Sequence, residues 1–330
     1  MARLLCLWLA VVLLLSVAVY AADVTVNGYI QYEYVAKQIP KETTGISTNF
    51  GLRAARIKAS CKLNDKISAY VLIDGAKQPS VLEANLDYIC APFLTVRLGQ
   101  FQLPFGYETQ NSNFDVEAID RSQIVNTVWN NGTLANGIGN GYLRDQGLML
   151  MGQHTLFNYK VACVNGTGLN TADNNNYKDI VGRIGVGIPM FAGLGVSLLH
   201  GEWPNGLKSQ DRKAIGVDLF LDTGKVLVES EFIAARGMVT SANTALDKKF
   251  GGYYAIVGYR VTPLIEPVFK YDKMDNDKDN DADATVTTNT YLGVNLNFEG
   301  KARLQVFYKI ASETPSVDNN QVMVSAKAKF

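Results

Sequence analysis

Residues 95–108 read TVRLGQFQLPFGYE. The segment enters as an alternating run, with Leu94, Val96 and Leu98 on one side of an extended chain and Thr95, Arg97 and Gly99 on the other. That period of two belongs to a strand with one face against an apolar medium. Pro104 ends the run, because proline has no N–H to give to a sheet ladder. About 40 residues with little strand pattern follow, the longest such gap in the chain. A gap of that length is uncommon in a compact domain unless it has a function.

The same alternation recurs along the chain. In residues 52–63, Arg56, Lys58, Ser60 and Lys62 oppose Ala55, Ile57, Ala59, Cys61 and Leu63. In residues 303–310, Leu304, Val306, Tyr308 and Ile310 oppose Arg303, Gln305 and Lys309, and residues 321–330 repeat the pattern up to Phe330. Short turns at 64–65, 91–93, 189–193, 222–224, 262–263 and 299–300 alternate with longer polar stretches at 37–49, 76–81, 102–143, 167–177, 204–211, 237–249, 274–286 and 312–319. The pattern predicts sixteen strands: 24–36, 50–63, 66–75, 82–91, 93–101, 144–153, 157–165, 178–188, 194–203, 212–221, 225–236, 250–261, 264–273, 287–298, 302–311 and 320–330.

An even set of alternating strands, with short turns at one end and long loops at the other, fits a transmembrane β-barrel. Closure pairs every backbone polar group, as the bilayer demands. A soluble sandwich also alternates, but it hides its apolar face and has no need for alternating turn lengths. No repeat of fixed period suggests a solenoid. The expected fold is therefore all-β: a 16-stranded antiparallel transmembrane β-barrel.

The first residues read differently. Arg3 precedes an apolar run over 4–19, and Val19 and Ala21 place small residues at the −3 and −1 positions of a cleavage site. This is the pattern of a secretory signal peptide over 1–21, leaving 22–330 as the barrel domain. The remainder keeps 30 of the 31 basic residues and all 31 acidic ones, a net charge near −1, with no basic excess to attract nucleic acid. No later apolar run approaches the ~20 residues of a membrane helix. Cys61, Cys90 and Cys163 form an odd, sparse set, expected to be free and packed as small apolar residues. With an even strand count both termini lie on the periplasmic side. Phe330, closing an alternating final strand, is similar to the C-terminal signal of bacterial outer-membrane proteins.

Several segments resemble, in order and spacing, the phosphate-selective porin O/P family. They are RAARIKASCKLN (53–64), LEANLDY (82–88), VRLGQFQLPFGYE (96–108), AIDRS (118–122), RDQGLML (144–150) and EPVFKYD (266–272), with 251–259 and 291–297 between and after. The resemblance runs over essentially the whole exported chain. It implies a bacterial outer-membrane channel, reached through the periplasm and usually a homotrimer, whose third long loop folds into the lumen. The implied partners are small anions and hydrophilic solutes, outer-membrane lipid and lipopolysaccharide. No cofactor and no metal are expected. A flap packed over the mouth or against a neighbouring subunit is the other reading of that loop. Asn113 or Asp115 is expected to cap a short helix running to about Val125, with Phe114, Ile119 and Val125 as its packing side.

Strand parity sorts the charges. Arg56, Lys58, Lys62, Arg97, Lys160, Arg183, Arg212, Arg260, Lys270, Arg303, Lys309, Lys327 and Lys329 fall on the lumen face, thirteen in all. Nine acidic residues share it: Asp74, Glu83, Asp87, Asp179, Asp218, Glu229, Glu231, Glu266 and Asp272. A positive excess in a narrow passage favours anions. Arg121, on the third loop, is the expected constriction charge. The loop otherwise carries Glu108, Asp115, Glu117 and Asp120, and so departs from the dense basic constriction of the family's phosphate-selective members. The expected function is passive diffusion of small hydrophilic solutes with a mild anion, and at the extreme a phosphate, preference. A non-conducting structural or adhesive barrel is the alternative.

An outer-membrane enzyme is a weaker alternative. His154 and His200 fall near opposite membrane faces, and no GxSxG elbow occurs. The run 275–283, DNDKDNDAD, lacks the glycine and closing Glu of a calcium loop and reads as an exposed acidic loop. Asn-Gly-Thr at Asn131 and Asn165 reads as turns.

Overall fold

The computed structural model describes residues 23–38, 45–76, 80–130, 143–173, 176–188, 190–202, 211–237, 248–280 and 285–330. The expected signal peptide and the Asn131 turn lie outside them. Sixteen strands are formed. The first half comprises β1 (Asp23–Gln38), β2 (Ile46–Lys62), β3 (Ile67–Asp74), β4 (Ser80–Ala91), β5 (Leu94–Gln102), β6 (Arg144–His154), β7 (Phe157–Val164) and β8 (Asp179–Ile188). The second half is β9 (Ala192–Glu202), β10 (Asp211–Asp222), β11 (Val226–Arg236), β12 (Lys249–Tyr259), β13 (Ile265–Asp275), β14 (Val286–Phe298), β15 (Ala302–Glu313) and β16 (Gln321–Lys329). Each expected span has its counterpart, with ends within two residues except for β2, which starts four residues earlier.

Every strand pairs antiparallel with its sequence neighbours, and β1 pairs with β16, so the sheet closes on itself. The seam is finished by Phe330, whose backbone exchanges two 3.0 Å hydrogen bonds with Gly28. Closure removes both sheet edges, which hydrocarbon would not tolerate.

Alternation gives the barrel its two faces. On β8, Ile180, Ile184, Val186 and Ile188 are exposed outward, while Asp179 and Val181 are buried inward. On β10, Ile215, Val217 and Leu219 point out and Arg212, Ala214 and Asp218 point in. A belt of exposed apolar side chains is unstable in water and natural against lipid acyl chains. Cys61, Cys90 and Cys163, the three cysteines among the described residues, are free, and Cys90 and Cys163 are exposed rather than packed in a core.

Parity breaks where the ladder slips. A register shift between Gln31 and Tyr32 pairs Gln31 with Ala54 and Tyr32 with Leu52, leaving Arg53 as an extra residue on β2. Arg53 thereby joins the lumen, against the expectation of strict alternation. A short α1 (Gln123–Asn130) and a 3-10 turn (Glu108–Gln110) lie in the third loop. The expected helix beginning near Asn113 or Asp115 therefore starts later. Ser122 is its cap, with the Val125 N–H donating to Ser122 Oγ at 3.3 Å. Before it, Asp115, Glu117 and Asp120 instead spend their carboxylates on cations of the barrel wall.

Candidate functional site

The site is built by the loop that leaves β5. Its neck is closed by Leu103 N–H donating to Leu143 O at 2.8 Å. Gly106 then turns with φ +72°, and the Cβ of any other residue would run into the Glu231 carboxylate. The chain crosses the lumen here. Gly106 N–H donates to Ser197 Oγ on β9 at 2.9 Å, and the N–H groups of Tyr107 and Glu108 donate to the Glu231 carboxylate on β11 at 3.3 Å each. A carboxylate receiving consecutive backbone donors holds the loop where it reaches the far wall.

From that anchor the loop runs along the wall towards the seam. Gln123 N–H donates to Asp272 on β13 at 2.8 Å, Glu108 pairs with Lys270 at 3.3 Å, and Glu117 pairs with Arg303 on β15 at 3.0 Å. Asp120 pairs with Arg53 at 2.6 Å, and Asp115 with Lys329 at 2.8 Å. Lys327 donates to the Asn113 carbonyl at 2.8 Å. Phe105, Ile119, Ile124 and Val125 are buried in one cluster with Ile233, Phe250, Tyr254 and Phe307 of the wall. Each such side chain contributes about 1.5–3 kcal/mol by leaving water. The loop is thus fastened inside the barrel by both charge and apolar burial.

Arg121 is buried within the loop. It donates to the Glu108 carbonyl, to Asn111 O at 2.7 Å and to Asn113 Oδ1 at 2.9 Å. Burial lowers its pKa from the usual guanidinium range to about 10, with Glu108 opposing that shift. Burial also acts to raise the Asp120 carboxyl, but Arg53 beside it wins and holds it below its ordinary value.

The predicted lumen charges divide into two groups. Under the loop, Lys270 is fully buried with Glu108, and Arg303 is held by Glu117. Nearby Arg260 is bidentate with Asp222, at 2.6 and 2.9 Å, and touches Glu266 at 3.1 Å. Arg183 is likewise bidentate with Asp218. The second group lies on the wall from β2 to β7, away from the loop's anchor. Arg56 binds Asp74 at 2.9 Å, and Arg97 grips Asp87 through two 2.7 Å bonds. Lys58 sits over the Tyr70 ring, 3.9 Å from its centroid. Lys160 reaches the loop, donating to Gln110 Oε1 at 3.1 Å, and Lys62 is exposed at the periplasmic rim beside Asp65.

Two cavities open along this second wall. One, of about 410 Å³, lies between Arg56, Lys58 and Arg144 on the wall and Gln110, Asn111 and Ser112 on the loop. The other, of about 540 Å³, opens towards the periplasmic rim past Lys58, Lys62 and Arg97. Lys58 lines both. Among the described residues no carboxylate lies within ion-pair reach of Lys58 or Lys160.

Sequence reasoning missed Arg53, Arg144 and Tyr70. Arg53 was hidden by the bulge. Arg144, which binds Glu83 at 3.0 and 2.7 Å, is the first residue of β6, where parity gives no direction. Tyr70 donates to Glu83 and accepts from Arg97 at 3.3 Å, linking the two ion pairs; its alternation on β3 was the available signal.

A closed sixteen-stranded barrel with an apolar outer belt, a charged lumen and a loop folded inside it defines an outer-membrane channel protein. The sequence model of the family described as phosphate-selective porin O and P matches residues 24–200, more than half of the chain. The chain belongs to that family. Among solved structures, an anion-selective porin from Comamonas acidovorans superposes with a TM-score of 0.70 at 14% identity, covering 94% of this chain and 100% of that one. The outer-membrane channel DcaP of Acinetobacter baumannii gives 0.65 at 13% identity, covering 94% and 98%. OmpF of Salmonella typhi, solved with daunomycin, gives 0.66 at 13% identity, covering 93% and 97%. At these identities the likeness is one of fold. No curated protein matches the sequence.

Proposed function

We propose that this protein is a porin passing small hydrophilic solutes by passive diffusion, with a mild preference for anions, and that it assembles as a homotrimer after export under the signal peptide of residues 1–21. The observation that carries the charge preference is the position of Lys58, which lines both cavities without a carboxylate partner among the described residues. Lys160, which donates to Gln110 of the loop, is a second lysine with no carboxylate in ion-pair reach among the described residues. The loop's own carboxylates are drawn to wall cations, with Glu117 on Arg303 and Asp120 on Arg53, so they offset little of the charge along the open side. Arg56, Arg97, Arg183, Arg260, Lys270, Arg303 and Arg121 shape the passage through pairs with carboxylates and carbonyls rather than as bare charges.

Phosphate, on this reading, is one anion among others. The planar forks of Arg97 and Arg183 suit phosphate oxygens but are each occupied by an aspartate. The non-conducting alternative draws its support from the apolar cluster that packs the loop against the wall inside the barrel. Planar-bilayer recording in a salt gradient separates the readings. An anion-selective reversal potential supports the proposal; a cation-selective one overturns the charge argument, and absence of conductance favours the structural barrel. Millimolar phosphate is expected to leave the chloride current unblocked.

A further inference from the structure

On the outer face of the barrel, at the extracellular ends of β9 to β12, one rung of the sheet carries three cations in a row beside a histidine. His200 pairs with Lys213, Lys213 with Arg236, and Arg236 with Lys249, each directly opposite the next. All four side chains point outward and are exposed. Like charges directly opposite one another on a sheet face repel, so a row of them favours any anion that bridges it. The rung below is apolar, with Leu198, Ile215, Ala234 and Gly251 paired in the same order, the last two small. The small residues leave a groove of about 500 Å³, overhung by Lys278 from the loop after β13. Among the described residues no carboxylate lines it. Asp211 and Asp279 lie beside it, 2.6 Å from Lys213 and 3.2 Å from Lys249, yet both lysine side chains remain more than half exposed.

We infer that this groove is a docking site for a phosphate-bearing glycolipid of the outer leaflet, lipopolysaccharide, with its phosphates on the basic rung and an acyl chain over the apolar rung. Charge and height carry the assignment. The cations stand at the extracellular rim, where the headgroups of the outer leaflet lie, and the apolar rung beneath them is at acyl depth. The site rests on the outer-membrane placement of the barrel and is independent of the pore's charge preference, because its side chains face away from the lumen.

The test uses the full-length barrel, refolded free of lipopolysaccharide in detergent, with native mass spectrometry as the readout. The probes are lipid A carrying both phosphates and the same lipid dephosphorylated. Lipid A is expected to bind and the dephosphorylated form to bind far more weakly; equal binding of the two by the unaltered protein overturns the proposal. The triple variant Lys213→Gln, Arg236→Gln and Lys249→Gln is expected to bind lipid A roughly a hundredfold more weakly, the product of about fivefold for each cation removed near an anionic lipid surface. Its conductance and ion preference should match the parent's, so a failed pore reading cannot be mistaken for a failed lipid site. Unchanged lipid binding with loss of the oligomer would assign the face to a second copy of this chain and overturn the lipid assignment.

Discussion

Lys270 Nζ and Glu108 Oε1 lie 3.3 Å apart inside the barrel, and neither side chain is more than 1% exposed. One belongs to the wall and the other to the loop, 162 residues away in sequence. Glu108 also accepts from the Ser122 N–H at 2.8 Å, so this single carboxylate joins wall, loop and the start of α1. Removing one member of a buried pair strands the other charge, at a cost of about 3–5 kcal/mol. Lys270→Met is therefore expected to release the loop locally, seen as larger and noisier single-channel steps. Lys270→Met combined with Glu108→Gln should recover most of the parent's behaviour; a double variant worse than the single would remove the pair from this role.

Reversal of the unpaired lysines tests the passage itself. At about 8 Å in a water-like dielectric, changing Lys to Glu alters a passing ion's energy by about 1 kcal/mol, in opposite senses for anion and cation, roughly a thirtyfold change in their ratio. Lys58→Glu and Lys160→Glu should each move the reversal potential towards cation selectivity by that order. The same change at Lys62, exposed at the rim beside Asp65, should do less because solvent screens it. Equal effects at Lys58 and Lys62 would place the narrow section elsewhere.

Arg121 is expected to act through the loop's shape. Arg121→Gln strips donors from the Glu108 and Asn111 carbonyls, which are then left without that partner in a buried setting. The cost is about 1–3 kcal/mol for each group left unsatisfied. Conductance should become heterogeneous while the ratio of anion to cation permeability changes little. A clean shift in that ratio at unchanged conductance would show that Arg121 acts as a bare charge after all.

Gly106 is predicted to be intolerant. Its φ of +72° penalises L-residues by about 1–2 kcal/mol, and an added Cβ meets the Glu231 carboxylate that anchors the loop. Gly106→Ala should loosen the same anchor as Glu231→Gln. Limited proteolysis from outside, comparing cleavage within residues 102–143, reads this directly. Equal protection of parent and variant would mean that the loop is held by its other anchors alone.

The fold was legible because its signal is local. Strand parity, turn lengths and Pro104 can be read within about ten residues, and a barrel repeats that reading sixteen times, so the strand ends fell within a few residues of their places. The face of most lumen residues followed from parity as well. Arg53 was the exception, since a one-residue bulge inverts the face of everything on one side of it and leaves no local mark.

Charge pairing was not legible. The sequence by itself determined which strands cross the membrane, which side chains turn inward, and that residues 102–143 form the anomalous loop. Only the tertiary structure decided that the loop is anchored on the wall from β9 round to β16 and on to Arg53 of β2, that Glu108, Glu117 and Asp120 meet Lys270, Arg303 and Arg53, and that Lys58 lines both cavities while Lys160 reaches Gln110 of the loop. The reason is physical: alternation is set by neighbouring residues, whereas the field along a pore depends on which distant charges cancel, and that is settled by where the chain beyond Phe105-Gly106 comes to rest.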